Sequence, residues 1–310
     1  MSSVQVGEAV KGTRVRRMVI TTIDSLRARL GTGCASVAGV TRAVVMTMGA
    51  LHDGHAALMH EARRWLREHA HDPEHAEVVA TVFVNPLQFN DPDDLASYPR
   101  TMSEDIALCS AAGVDVVFAP TVNEMYPDGD PQITVVAGAL GDDLDGAHRP
   151  GHFTGMLTVV NRLLMLTHPA AAFFGEKDYQ QLALIQRMVA DLLIPVQIVG
   201  VPTVRDADGL ALSSRNRRLG DARVHALAVP RTLEHVQRLL DEGRSADAAA
   251  AEAATWLQSQ PEIEQVDYVA VRAPHLGAAP MSGEGRALVA AHVGGVRLID
   301  NCAVLIGMHS

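Results

Sequence analysis

Ala43-Val44-Val45-Met46-Thr47-Met48-Gly49-Ala50-Leu51-His52-Asp53-Gly54-His55 opens as a short apolar run, turns at a glycine and delivers two histidines into the segment that follows. Beyond it, Leu58, Met59, Ala62 and Leu66 recur at helical spacing, so the stretch reads as buried strand, turn and amphipathic helix. That order puts the turn where a helix N-terminus presents unpaired N–H groups to an anion. His52 and His55 lie three apart with Gly54 between them, which lets both imidazoles approach one ligand. Two such donors suit the oxygens of a phosphate chain on which charge is developing. By themselves two loop histidines can equally be an exposed pair or a helix cap, and the strand–turn–helix setting is what favours the phosphate reading. Metal binding is disfavoured because no zinc-type spacing accompanies them.

Outward from this stretch the same rhythm repeats. Val78 to Val84 reads as a strand, Asn85 to Pro99 as a loop, Ser103 to Ala112 as a helix and Val114 to Ala119 as a further buried strand. A helix is expected from Gly155 to Leu166, a strand from Ala171 to Phe174, a helix from Tyr179 to Leu192 and a strand from Val196 to Val201. Alternation of this kind predicts an α/β protein with a Rossmann-like, doubly wound parallel sheet, whose ligands bind outside the carboxyl ends of the strands. Gly and Asp around Val204 to Gly209 mark a break. An Ala-rich helix from Ser245 to Trp256 and strand-like runs at 266–271, 287–293 and 296–298 then predict a second, smaller α/β domain. The expected division is 1–203 and 204–310, with no internal repeat.

Composition sets limits on function. The chain has 310 residues, 48% of them hydrophobic but only 4% aromatic, enough for a large aliphatic core. A formal charge of −10 argues against an extended nucleic-acid surface while leaving room for a local basic pocket. Cys34, Cys109 and Cys302 are three, dispersed and without a Cys-x-x-Cys pair, so reduced thiols in a cytoplasmic protein are expected rather than disulfides or structural zinc. Lys11, Arg14, Arg16 and Arg17 are followed by no apolar signal core, and no run is long and apolar enough to cross a membrane.

Two further motifs carry charge. Gly175-Glu176-Lys177-Asp178 follows an apolar strand directly; its lysine can track phosphate oxygens, and Asp178 can orient a hydroxyl or a hydrated cation. Leu212-Ser213-Ser214-Arg215-Asn216 offers two hydroxyls and a fixed cation that could close over a triphosphate. Each alone is also an ordinary feature, the first a solvated turn and the second a serine cap beside a surface arginine.

Taken together, the three motifs resemble the nucleotide-binding signature of the pantothenate synthetases, within the His-x-Gly-His nucleotidyltransferase superfamily. The resemblance covers about Val44 to Asn216. It includes Phe83-Val84-Asn85-Pro86-Leu87-Gln88-Phe89, Tyr98-Pro99-Arg100-Thr101, Met125-Tyr126-Pro127, Arg149-Pro150-Gly151-His152-Phe153 and Val201-Pro202-Thr203-Val204-Arg205, with a weaker echo in Leu298-Ile299-Asp300-Asn301.

The resemblance implies an ATP-dependent condensation of pantoate with β-alanine through pantoyl adenylate, with Mg²⁺ assisting, in a homodimer. It implies that Met48, Gly49, Ala50, Leu51, His52, Asp53, Gly54 and His55 cradle ATP, with His55 as proton donor and His52 as its phosphate-binding companion. Gly175, Glu176, Lys177 and Asp178 would bind nucleotide, the Val204 backbone would meet adenine, and Leu212, Ser213, Ser214 and Arg215 would form the phosphate clamp. Gln88 and Gln181 would hold pantoate, Gln88 would also border the β-alanine site, and Asn85, Tyr98, Arg149 and His152 would contribute to the substrate pocket.

Some positions depart from the family pattern. Met46 replaces the usual proline before Thr-Met-Gly, Leu212 stands for methionine, Asp53 for glutamate, and Asn161 occupies a helix position more often small or apolar. None removes a catalytic group. Other classes remain to be separated: a transferase that leaves the nucleotide on its product, or an inactive binding protein with the same fold. A dinucleotide-binding oxidoreductase is disfavoured, since no Gly-x-Gly-x-x-Gly follows the first strand.

Overall fold

The computed structural model describes residues 18–31, 40–90 and 92–307; Cys34, Lys11, Arg14, Arg16 and Arg17 lie outside the described residues. The first half runs β1 (Met18–Ile20), α1 (Ile23–Leu30), β2 (Arg42–Thr47), α2 (Asp53–His69), β3 (Glu77–Val82), α3 (Pro92–Ser97), α4 (Met102–Ala111), β4 (Val116–Phe118), α5 (Val122–Met125) and α6 (Asp145–His148). It continues through α7 (His152–Thr167), β5 (Ala171–Gly175), α8 (Tyr179–Asp191), β6 (Gln197–Val201), α9 (Ala228–Asp241), α10 (Ala246–Gln258), β7 (Ile263–Arg272), β8 (Gly283–Val293) and β9 (Val296–Ile306).

Six strands form one parallel sheet in the order β1-β4-β3-β2-β5-β6. A parallel sheet covered on both faces needs strands that are apolar on both sides, and Val78, Val79 and Ala80 of β3 are fully buried. On one face Val44, Val79, Phe118 and Phe174 pack against α1, α7 and α8; on the other Val45, Val78, Ala80 and Phe173 pack against α2 and α4. From β2 the chain builds outward through β3 to β4, then crosses back so that β5 lies on the other side of β2. The strand order therefore reverses between β2 and β5. The crevice at their carboxyl ends is where sheets of this kind bind ligands, and the His52 and Lys177 turns both begin there.

The remaining three strands make a small antiparallel sheet, β7-β8-β9, against which α9 and α10 pack through Val229, Leu233, Val236, Leu240, Ala249, Ala253 and Leu257. β8 and β9 are joined by Gly294-Gly295, both at positive φ, the two-residue hairpin connection that matches strand twist. Leu210, Leu219 and Ala226 pack into this second core, whereas Val201 packs into the first.

The expected strands and helices are present, most with ends shifted by a few residues, whereas β9 runs on to Ile306, eight residues past the expected end. The sequence signals neither β1 and α1 before Ala43 nor α9 between Asn216 and Ser245. Within the stretch read as a loop from Asn85 to Pro99 lie a 3-10 turn, Pro86–Gln88, and the short helix α3.

Candidate active site

The His-x-Gly-His turn caps its own helix. His52 is the N-cap of α2 with extended backbone; its Nδ1 accepts from the Gly54 amide at 3.1 Å, while His55 Nδ1 accepts from the His52 amide at 3.2 Å. This is a reciprocal capping box built from two imidazoles. A Cβ on Gly54 would lie 2.9 Å from the His52 ring, so only glycine lets the two rings stand 4.2 Å apart. Because both Nδ1 atoms accept, each neutral ring carries its proton on Nε2. Burial, then His52 and Lys177, pushes His55 down to about 3; burial, then Lys177 and Arg217, also lowers His52. Both rings are therefore neutral near pH 7, with an Nε2–H free to donate a hydrogen bond.

Lys177 sits on a 3-10 turn, Glu176–Asp178, at the end of β5, with its ammonium 3.6 Å from the Asp178 carboxylate. Desolvation opposes the Asp178 charge, but Lys177 and Arg215 outweigh it and hold the carboxyl below its ordinary range. The small sheet fixes this turn from behind. Buried Asn301 donates to the carbonyls of Glu176 and Lys177 at 2.9 and 2.8 Å, and Arg286 joins Asn301 at 2.7 Å and Glu176 at 3.1 Å. The weak C-terminal echo thus has a definite structural role. Asp300 holds Arg205 in a two-pronged pair at 2.7 and 2.9 Å, and Asn301 holds the lysine turn.

The serine-arginine segment is tied to the Val204 segment by the Leu212 amide, which donates to the Val204 carbonyl at 2.9 Å. Ser213 Oγ accepts from the Arg215 amide, and Tyr98, half of an edge-on pair with Phe89, lies against Ser214. Burial pushes the Tyr98 phenol up.

Opposite the histidines, the Gln88 side chain bridges Asn85 Nδ2 and Met48 Sδ, and its backbone carbonyl accepts from His152 Nδ1 at 2.6 Å. His152 Nε2 then accepts from Arg149 at 3.1 Å. Burial, followed by Arg149, drives His152 down to about 4, and burial, followed by Arg215, lowers Arg149 to about 10.

These groups line two abutting cavities. One, of about 220 Å³, is bordered by Met48, His52, Gly54, His55, Gln88, Tyr98, Gly175, Lys177, Asp178, Gln181, Val204, Leu212, Ser213, Ser214 and Arg215. The other, about 520 Å³, shares Arg149, His152, Lys177, Asp178, Gln181, Ser213 and Arg215 and opens toward α3 and the small sheet. The residues singled out in the sequence thus converge on one cleft from as far apart in the chain as Met48 and Arg215.

Six do not line either cavity. The Ala50 and Leu51 amides are turned away and donate to the buried Asp105 carboxylate at 3.2 and 2.8 Å, so they are taken before a phosphate could use them. Gly49 abuts the same carboxylate, and Asp53 is exposed on the first turn of α2. Glu176 is engaged by Arg286. Asn85 is 1% exposed and saturated by Gln88, Gly155, Leu87 and Tyr126; it shapes the wall from behind. Asp94 and Asp105 carry no signal in the sequence, because each acts on a partner more than fifty residues away.

A parallel sheet with a His-x-Gly-His pair at its switch point, facing a lysine and an arginine across a cleft, has the build of a nucleotide-using α/β enzyme. The model of the Pantoate-beta-alanine ligase family matches residues 18–303, and the chain belongs to that family. A pantothenate synthetase of Salinispora arenicola is 48% identical over 293 residues, covering 94% of this chain and all of the relative. One from Mycolicibacterium smegmatis is 50% identical, covering 88% and 86% of the two chains. Among solved structures, the pantothenate synthetase of Thermus thermophilus superposes with a TM-score of 0.80 at 43% identity, over 92% of this chain and 98% of that one. The Francisella tularensis pantoate-β-alanine ligase, complexed with β-γ ATP and β-alanine, gives 0.71 at 31% identity over 93% and 97%.

Proposed function

We propose that the chain condenses pantoate with β-alanine at the expense of ATP, releasing AMP and pyrophosphate by way of pantoyl adenylate. The observation that carries this reading is the convergence of two Nε2–H imidazoles, the Lys177 ammonium and the Arg215 guanidinium on one cleft that also holds Gln88 and Gln181. A pantoate carboxylate oxygen attacks the α-phosphorus, and the charge gathering on the bridging and terminal oxygens is met by His52, His55, Lys177 and Arg215, already in place and partly desolvated. Pyrophosphate leaves. The neutral amine of β-alanine then attacks the acyl carbon of the mixed anhydride, and AMP departs.

Gln88 and Gln181 present amides that can both donate to and accept from pantoate, and the Val204 segment borders the end of the cavity where the base would lie. Arg149, fixed by His152, supplies a cation at the outer cavity suited to the second substrate's carboxylate. Among the described residues no group of three or more His, Cys, Asp or Glu could hold a metal ion, so Mg²⁺ would ride chiefly on the phosphates with Asp178 in reach. That fits an ion that keeps its waters and takes one or two carboxylates. Bound there, it would neutralise phosphate charge.

The reactive anhydride must be kept from water, and the two cores, divided between 203 and 204, give the cleft two walls that can close on it. No helix among the described residues is long and apolar enough to cross a membrane; cytoplasmic residence and a homodimer complete the reading. The test is paired. Pantoate-dependent exchange of labelled pyrophosphate into ATP separates an enzyme from a silent binding protein, and β-alanine-dependent AMP release separates it from a transferase that keeps the nucleotide on its product. Absence of either in folded protein refutes the reading.

A further inference from the structure

The turn that bears the histidines is an unusual piece of backbone. Gly49 and Ala50 are both at positive φ, 88° and 51°, and for alanine that is a strained conformation. Consecutive amides in such a turn form a concave nest for an anion. Here the nest is filled from within the protein. Asp105 of α4, 2% exposed, accepts from the Ala50 amide through Oδ2 at 3.2 Å and from the Leu51 amide through Oδ1 at 2.8 Å; Thr101 Oγ1 donates to Oδ1 at 3.1 Å. A Cβ on Gly49 would stand 3.0 Å from the same Oδ2. At the other end of the turn Thr47 Oγ1 accepts from the Gly49 amide and donates to the Thr81 carbonyl. The backbone from Gly49 to Leu51 is thereby pinned to β3 and α4 immediately before His52.

We propose that Asp105 is a positioning residue for catalysis: its carboxylate stands in the nest that a phosphate-binding loop would offer its ligand, and by doing so fixes where His52 begins α2 and where both Nε2–H groups aim. The division of labour follows from it. The turn's amides serve the fold, and the imidazoles are left to meet the phosphates. Loss of the carboxylate would leave two buried donors unpaired and release the positive-φ turn, so the rings would lose their common aim, while Gln88, which touches the turn only through Met48 Sδ, stays held by Asn85 and His152.

This rests on the adenylation reading for its kinetic arm but not for its spectroscopic one. Asp105→Asn keeps the shape and replaces one acceptor with an NH₂ that faces an amide. In pyrophosphate exchange it should lower kcat by about tenfold or more and raise the ATP KM, with the pantoate KM unchanged within about twofold; a displacement of about 1 Å costs on the order of 10²-fold. Thr101→Val, which removes one support and orphans no amide, should give a smaller loss in the same direction and keeps the test open if Asp105→Asn folds poorly. Long-range ¹H–¹⁵N spectra of either variant should show His52 and His55 leaving the pure Nε2–H tautomer while His152 keeps Nδ1–H. If the wild type lacks exchange activity, the function is wrong, yet the tautomer shifts still decide the positioning role. Folded variants with wild-type ATP kinetics, or with unmoved His52 and His55 resonances, would overturn it.

Discussion

Arg215 donates to Asp94 across the mouth of the cleft at 3.1 Å, and Arg218 reaches the other oxygen of the same carboxylate at 3.3 Å. Both guanidiniums come from the 3-10 turn Ser214–Arg218, capped by Ser213, and Asp94 comes from α3, more than a hundred residues earlier. A carboxylate so placed competes with a phosphate for the same cations. Asp94→Asn should therefore tighten nucleotide binding, lowering the ATP KM by roughly twofold to fivefold, the scale of a partly exposed charge pair. Steady-state kinetics at varied ATP decides it, and a higher KM would mean that Asp94 aims the arginines instead of occupying them.

The neutral state of the histidine pair has a kinetic signature. With His55 pushed down to about 3, its ring gains no proton as the medium goes from about pH 8 to about pH 6, and burial with Lys177 and Arg217 lowers His52 in the same direction. Pyrophosphate exchange does not involve the β-alanine amine, so its rate with Mg-ATP should stay level across that range. An acid limb near pH 6.5 that disappears in His55→Gln would contradict the assignment. His55→Ala should reduce exchange by roughly 10²–10³-fold, the scale of losing one preorganised donor to developing charge, without unfolding the protein.

His152 ties pH to stability. Its folded-state value, about 4, lies below the ordinary histidine value of 6.5, so between the two the unfolded chain binds the extra proton. The stabilisation is complete above about pH 6.5 and is lost as pH falls toward 4, amounting to roughly 2 kcal/mol by pH 5. Gln at this position can still donate to the Gln88 carbonyl. The drop in unfolding free energy between pH 7 and pH 5, measured by urea titration, should be smaller by about that amount in His152→Gln. Equal drops would show that His152 titrates normally.

Much of this was legible in the sequence because the signals are local. A buried strand, a glycine turn and a helix start lie within thirteen residues from Ala43 to His55, and the same grammar repeats before Lys177. β1 was not legible, since three residues at a sheet edge, two of them exposed, carry no usable period. α9 was not legible either: Val229, Leu233, Val236 and Leu240 stand at helical spacing, but Pro230 near its start masks the pattern. Sequence also overstated the phosphate cradle. It shows amides in a glycine turn but not that Asp105, fifty-four residues from Leu51, already holds them.

Gly155 poses a separate test, of how the wall proposed for pantoate is built. It lies in the first turns of α7, where the helix meets the Pro86–Gln88 turn, and its carbonyl accepts from Asn85 Nδ2 at 3.2 Å. A Cβ there would stand 2.5 Å from the Leu87 carbonyl carbon, closer still to its oxygen, and 3.0 Å from the Gln88 amide. These are backbone atoms, which cannot rotate aside. Gly155→Ala must push the turn away from α7, and Gln88 moves with it and strains its contact to Met48 Sδ, while the bonds that fix His52, His55 and Lys177 are kept. Overpacking of this kind costs about 1–3 kcal/mol, so the protein should still fold. The pantoate KM should rise by about tenfold or more with the ATP KM little changed. If pantoate and ATP constants moved together, the helix would be setting the whole cleft rather than one wall of it.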